Sequence, residues 1–246
     1  MKAKCLAVAL LFVVAGHARA QVGELYDANV IERTAITDPA KAMSAAEGQW
    51  MAFSLPVLEG THSPCCWKGR WNGVGEAGCS LEARHQSYGT RSDSPVAENV
   101  IVYSEIREGQ VHTIRLVGDQ CPVEGSGAQV SWIGTVDDTA GLDWLETLAR
   151  SDDDSAGNGA LFALALHRSP DAGQRLYKLA LNTDDELSEE AIFWLGEARG
   201  EVGSQMLLDL ARNNQVPRNI RRQALFWLAQ SDDDSTIAAL TELLTR

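Results

Sequence analysis

The chain has 246 residues, 45% of them hydrophobic and 22% charged, enough apolar material for a soluble protein of one or two domains. Its formal net charge of −13 repels phosphate backbones and anionic lipid, so neither nucleic acid nor a membrane surface is an expected partner.

The first twenty residues read as an address. Lys2 and Lys4 form a positive start, Cys5 to Gly16 is an unbroken apolar run, and Ala18-Arg19-Ala20 offers small residues where a signal peptidase reads. The run is shorter than the ~20 apolar residues a membrane-spanning helix needs. Cleavage after Ala20 is expected, with export to the periplasm or the medium and no membrane insertion of the mature chain. It removes Lys2, Lys4 and Arg19 and makes the remainder more negative still.

Residues 21–48 form a polar lead-in, with a short capped helix expected after Asp38-Pro39. Gln49 to Leu55 reads as a strand stopped by Pro56. A Gly- and Cys-rich segment with Trp67 and Trp71 follows, too rich in glycine for much regular structure. Four cysteines outlast the signal: Cys65, Cys66, Cys79 and Cys121. An even number in an exported chain predicts two disulfides. Three pairings are open. An adjacent Cys65–Cys66 bond would strain the backbone, which favours separate bonds from each to Cys79 and Cys121. The alternative is a metal site or a thiol-redox pair, with His62 or His85 as an extra ligand. The spacing departs from the C-x₂₋₄-C of structural zinc, and no C-x-x-C is present.

Asn99 to Ile106 and Gln110 to Val117 read as a hairpin turned by Glu108-Gly109, and Gln129 to Val136 as a further strand. Strict alternation in the second arm would set His112, Ile114 and Leu116 on one face and Val111, Thr113 and Arg115 on the other. His112 and His85 stand alone, which suits a sheet face or a carboxylate partner better than catalysis. Gly-x-Ser-x-Gly and His-Glu-x-x-His are absent, and Gly73 to Gly78 lacks the lysine of a phosphate loop.

From Gly141 the apolar period turns helical. Helices are expected over 141–150, 159–167, 172–181, 188–197, 202–213, 218–230 and 236–244. Ala160-Leu161-Phe162-Ala163-Leu164 is echoed by Ala191-Ile192-Phe193-Trp194-Leu195 and Ala224-Leu225-Phe226-Trp227-Leu228, and each echo is followed by a leucine pair: Leu176 and Leu179, Leu207 and Leu210, Leu240 and Leu243. This is the signature of a repeat array whose units bury their faces only by stacking. The rings Phe162, Phe193, Trp194, Phe226 and Trp227 are expected in the core between units. Ser-Asp-Asp-Asp-Ser occurs at 151–155 and again at 231–235. It lacks the alternating ligands of a calcium loop and sits where Ser and Asp cap helices.

The run Ile220-Arg221-Arg222-Gln223-Ala224-Leu225-Phe226-Trp227-Leu228 resembles the opening of a short bacterial HEAT repeat, and the Cys-Cys-Trp segment ahead of the array is similar to exported proteins of that kind with no assigned activity. The resemblance implies a scaffold whose second helices line a binding face, here with Arg175, Lys178, Gln205, Asp209 and Arg212 exposed. The expected fold is α+β, with a small disulfide-stapled β-rich domain at 49–140 followed by an α-solenoid of HEAT-like helix pairs at 141–246. The expected function is a non-enzymatic extracytoplasmic adaptor with a protein partner, no cofactor, no metal and no catalytic residue. A metal-binding or thiol-redox module in the Cys-rich part is the alternative.

Overall fold

The structure is a computed structural model that describes residues 23–46, 49–68, 76–83, 87–91, 93–151, 153–182, 185–231 and 233–245; the signal segment, Trp71 and His85 lie outside these. The chain opens with strand β1 (Glu24–Glu32), where sequence reading expects only an irregular lead-in. β1 occupies a sheet edge and stays mostly exposed, Tyr26 by 50%, so it needs no apolar alternation to mark it. Helix α1 (Pro39–Ser44) follows, with Asp38 accepting from the Ala40 and Lys41 amides and Pro39 in its first turn. Next come β2 (Trp50–Pro56) and the short strands β3 (Cys65–Lys68), β4 (Glu76–Ala77), β5 (Cys79–Ser80) and β6 (Ser87–Gly89). The long strands β7 (Asn99–Arg107), β8 (Gln110–Gly118) and β9 (Pro122–Thr135) complete the β part.

Among them β1, β9, β2, β7 and β8, in that order, build one mixed sheet. β1 and β2 run parallel to β9, β7 runs antiparallel to β2 and β8, and β5 also lies parallel to β9. The β7–β8 hairpin turns at Glu108 and Gly109, both at positive φ (52° and 74°), as a type I′ turn demands. Register shifts between the Glu105–Thr113 and Ile106–Val111 pairs, leaving His112 as an extra residue. That bulge resets the alternation. Val111 joins Ile114 and Leu116 on one face, where strict period-2 reading would oppose them.

Both faces of the sheet are buried, which corrects the expectation of a small β domain followed by a separate solenoid. Met51, Phe53, Leu55, Val100, Val102, Leu116 and Ile133 share one continuous core with the helices. Trp50, Ala52, Ile101, Tyr103, Val117, Val130 and Trp132 point the other way, into a second core with the four cysteines. The sheet is therefore the middle layer of a mixed α/β fold. The small β4-β3-β6 sheet covers one side and helices cover the other. The physical reason lies in β2 and β7 themselves. Continuous apolar runs such as Val100-Ile101-Val102-Tyr103 belong to strands covered on both faces.

The helices are α2 (Asp138–Ala149), α3 (Asp154–Leu166), α4 (Pro170–Ala180), α5 (Asp185–Ala198), α6 (Gly200–Arg212), α7 (Arg218–Leu228) and α8 (Asp234–Thr245), close to the expected bounds. α3 packs on β8, and α3, α5 and α7 stack as one row while α4, α6 and α8 form the other. Trp144 of α2 meets Phe53 edge-on at 5.7 Å, and Gly159 of α3 lies against Ile114 so closely that a Cβ there would be 2.6 Å from the Ile114 Cβ.

Sheet and helices are also joined through main chain. The Leu58 amide donates to the Leu166 carbonyl at 2.9 Å and the Arg168 amide to the Pro56 carbonyl at 3.1 Å, around a bridge between Val57 and His167. Arg199 clamps this joint by donating to the carbonyls of His167 (2.6 Å), Ala165 (3.3 Å) and Ser169 (3.3 Å). His167 is buried, and its Nδ1 accepts from the Ser169 amide at 3.0 Å, so the neutral ring carries its proton on Nε2.

Burial holds the His167 pKa below the ordinary histidine value. The Asp138 carboxylate opposes the shift, and the Arg199 and Arg168 charges reinforce it. Below the unfolded value of about 6.5 the unfolded chain takes a proton that the folded chain refuses, so stability is present above that pH and is lost as pH falls through the folded pKa. We expect the urea midpoint to be flat above about pH 6.5 and to fall from there towards pH 5, with a shallower fall in His167→Gln. Equal slopes for the two proteins over that window would assign the pH sensitivity elsewhere.

Candidate binding face

Strand geometry explains the cysteine pairing. Adjacent residues of β3 project oppositely, so Cys65 and Cys66 meet different partners. Cys65 bonds Cys121, just ahead of β9, and Cys66 bonds Cys79 of β5. The two disulfides themselves lie close together. The Cys79 and Cys121 sulfurs are 3.9 Å apart, and those of Cys65, Cys79 and Cys121 fall within 4.8 Å of one another. A soft metal would find its donors here only after reduction, because it binds thiolate and both bonds use the sulfurs. Two buried disulfides of this kind persist in an oxidising, extracytoplasmic environment. Among the described residues no helix is long and apolar enough to cross a membrane.

Beside the Cys66–Cys79 bond a cleft of about 560 Å³ is lined by Glu105, Arg107, His112, Arg115 and Asp153. Glu105, Arg107, His112, Arg115 and Asp153 are engaged by one another or by main chain, and Glu82 stands at the same cleft. Arg107 binds Glu105 at 2.8 Å, and Arg115 donates to the Ser80 carbonyl and, at 2.7 Å, to that of Ala83. His112 Nδ1 lies 3.2 Å from an Asp153 oxygen. Asp153 is at the same time the cap of α3, accepting from the Ser155 and Ala156 amides. Asp233 does the same for α8 through the Thr236 amide at 2.7 Å. Hydrogen bonds from Ser235 and Thr236 push its pKa down to about 2. The acidic runs thus work as helix caps, as their position predicts.

The residues expected to line the second-helix surface divide. Lys178, Gln205, Asp209 and Arg212 are exposed. Arg175 is already engaged, with its side chain 13% exposed. It reaches Asp143 at 2.7 Å and Glu146 at 2.8 Å on α2, and Asp171 at 2.9 Å on its own helix. That guanidinium braces α2 against α4.

The aromatic stripe departs from expectation in part. Its rings do join successive helices, and Phe162, Trp194 and Trp227 pack partly buried against the helical core, while Phe226 lies at the surface. Phe162 of α3 stacks on Trp194 of α5 at 4.6 Å. Trp194 touches Phe193 at 4.7 Å, Phe193 meets Trp227 of α7 at 5.0 Å, and Trp227 meets Phe226 at 5.3 Å. The buried positions between helices belong instead to Ala160, Leu164, Ala191, Leu195, Ala224 and Leu228. Phe226 is 53% exposed and the other four rings are partly so. Two clefts follow the ladder. One of about 550 Å³ lies between the 58–62 loop and α3–α5, lined by Phe162, Phe193, Trp194, Glu59, Glu197 and Arg199. The other, about 210 Å³, lies between α5 and α7 beside Trp227, Glu201 and Asp233. The signal for this face was legible in the aromatic positions of each repeat. What hid it is that one helix face carries small residues at its centre and rings at its rim.

No protein-family model matches the chain, and no curated protein matches it. Among solved structures the chain is similar to an engineered protein, 24% identical over 43% of this chain and 52% of that one, with a TM-score of 0.25. The chain thus spans about half of that protein's length, and a likeness at this score carries no argument about fold or function.

Proposed function

We propose that this protein is a non-enzymatic extracytoplasmic adaptor, periplasmic or secreted, that grips another protein through its HEAT-like helical array. One observation carries the reading: five partly exposed aromatic rings, one pair stacked and the others edge to face, run across α3, α5 and α7. Aromatic side chains dominate the binding energy of protein interfaces. Rings already held by their neighbours lose little conformational freedom when a partner covers them. The exposed second-helix residues Lys178, Gln205, Asp209 and Arg212 then serve as a reference surface or a second contact.

The test is a photo-crosslinking side chain placed at Phe226 or, as control, at Lys178, in the exporting host. A discrete protein adduct from position 226 is expected, absent from position 178 and lost when Trp194 is also changed to Ala. Identical adducts from both positions, or none from 226, would remove the aromatic face from the reading. The closeness of the cysteine sulfurs favours a second reading, a thiol-redox or metal-binding module. Native protein that takes up alkylating groups without reductant would bring it forward.

A further inference from the structure

Resting on the adaptor reading, we infer that the aromatic ladder is a docking site for an extended, proline-containing basic segment of the partner, bound across the helices in the polyproline II form. The first argument is the spacing. The ladder offers rings once per helix along the row α3, α5, α7: Phe162, then Trp194 with Phe193, then Trp227 with Phe226. Packed helices stand about 8–10 Å apart. A polyproline II segment repeats every three residues at 3.1 Å each, about 9 Å, so one face of it meets one ring set per turn. Proline rings stack on aromatic faces, and the segment arrives preformed, which lowers the entropy lost on docking.

The second argument is charge. Glu59 and Glu197 line the larger cleft, and Glu197, Glu201 and Asp233 line the smaller one. Among the described residues lining the larger cleft, Arg199 is turned onto the main-chain carbonyls of Ala165, His167 and Ser169, and His62 holds its Nδ1 2.9 Å from the Ser94 carbonyl oxygen. Towards the start of the helices, Glu189 and Glu190 stand one turn before Phe193 and Trp194, and Arg222 one turn before Phe226. Among the described residues, carboxylates dominate the rim. Lysine or arginine between the prolines pairs with them and lies over the rings, which attract cations on their faces. A neutral glycan would stack on the rings but leave this rim without a partner.

The experiment titrates the full mature chain, followed by tryptophan fluorescence and calorimetry, with a Lys-Pro-Pro repeat peptide of about nine residues, long enough to cross three helices. A Ser-Pro-Pro repeat, a Glu-Pro-Pro repeat and a neutral β-linked oligosaccharide serve as probes of the other chemistries. The lysine peptide is expected to bind, at least about tenfold more tightly than the serine one and with no binding of the glutamate one. Phe226→Ala, at an exposed position that does not hold the fold, weakens it roughly tenfold. Glu59→Gln with Glu197→Gln weakens it and flattens its salt dependence. Equal binding of the lysine and serine peptides overturns the charge assignment. If no peptide binds while the crosslinked partner still does, this inference fails and the adaptor reading stands. Oligosaccharide binding that is lost in Phe226→Ala overturns both.

Discussion

Gly203→Ala is expected to be among the most destabilising single changes in this chain, lowering stability by about 3 kcal/mol or more. α5 ends at Ala198 and α6 starts at Gly200, so only Arg199 separates two antiparallel helices. A hairpin this tight presses the first turn of α6 onto the last turn of α5. A Cβ at residue 203 would overlap the Leu195 carbonyl oxygen and lie 2.8 Å from the Arg199 Cβ. The obstacle is backbone, which no rotamer change relieves. Leu195, Leu207 and Met206 are buried in the core on the helix side, and Arg199 leads from there to the sheet joint, so displacement of α6 reaches both the helical array and its attachment to the sheet. For a chain of this size we expect the melting temperature to fall by roughly 6–12 °C. Gly89→Ala, where nothing lies within 4 Å of the added carbon, is the control, expected within about 0.5 kcal/mol of wild type. Equal melting temperatures for the two variants would mean that α5 and α6 are not packed this closely.

The second large effect is expected at the disulfides, and it should be unequal. Cys65–Cys121 closes a sequence separation of 56 and Cys66–Cys79 one of 13. Chain-entropy scaling gives about 4 kcal/mol for the first loop and about 3 kcal/mol for the second. The longer bond also ties the small sheet to the start of β9, against buried Trp50, Tyr103 and Trp132. Cys65→Ala with Cys121→Ala should therefore lower the denaturant midpoint more than Cys66→Ala with Cys79→Ala, and should expose Trp50 fluorescence to quencher. The layer keeps other ties: the Gly118 amide to the Pro64 carbonyl at 2.7 Å and Arg115 to the Ala83 carbonyl at 2.7 Å. Loosening of this layer ahead of global unfolding is the expected pattern. Two double variants as stable as wild type would show that packing alone holds the layer in place.

Much of this architecture was legible from residue spacing. The seven helices follow from apolar residues three and four apart, the hairpin from two β-rich runs around Glu108-Gly109, and the caps from Asp38, Asp153 and Asp233. Two disulfides follow from an even cysteine count. These features are local, or nearly so. Their causes, hydrogen-bond periodicity, turn torsions and orphan amides at helix starts, lie within a few residues of the effect.

The misplaced features have a different origin. β1 is a strand because β9 is beside it, and a parallel edge strand carries no signal of its own. The bulge at His112 comes from the pairing of β8 with β7, and it undoes an alternation that looked regular. The separate β domain failed because a both-faces-buried sheet requires two covering layers, which a period-2 count along one strand does not reveal. Arg175 looked free on its helix until Asp143 and Glu146 arrived from α2. Of the aromatic repeat, Phe162, Trp194 and Trp227 do pack against the core, but Phe226 is exposed, because sequence gives the angle of a residue around its helix and not the depth of the neighbour it meets.

By itself the sequence determined the helical and hairpin elements, the caps, the cysteine complement and the repetition of rings along the chain, since each depends on short-range geometry. Contacts between distant segments made the sheet a middle layer, joined Cys65 to Cys121 and Cys66 to Cys79, and set the rings of successive helices against one another. Those outcomes depend on which surfaces distant segments bury together, and that is settled by the area each removes from water over the whole molecule rather than by any stretch of it.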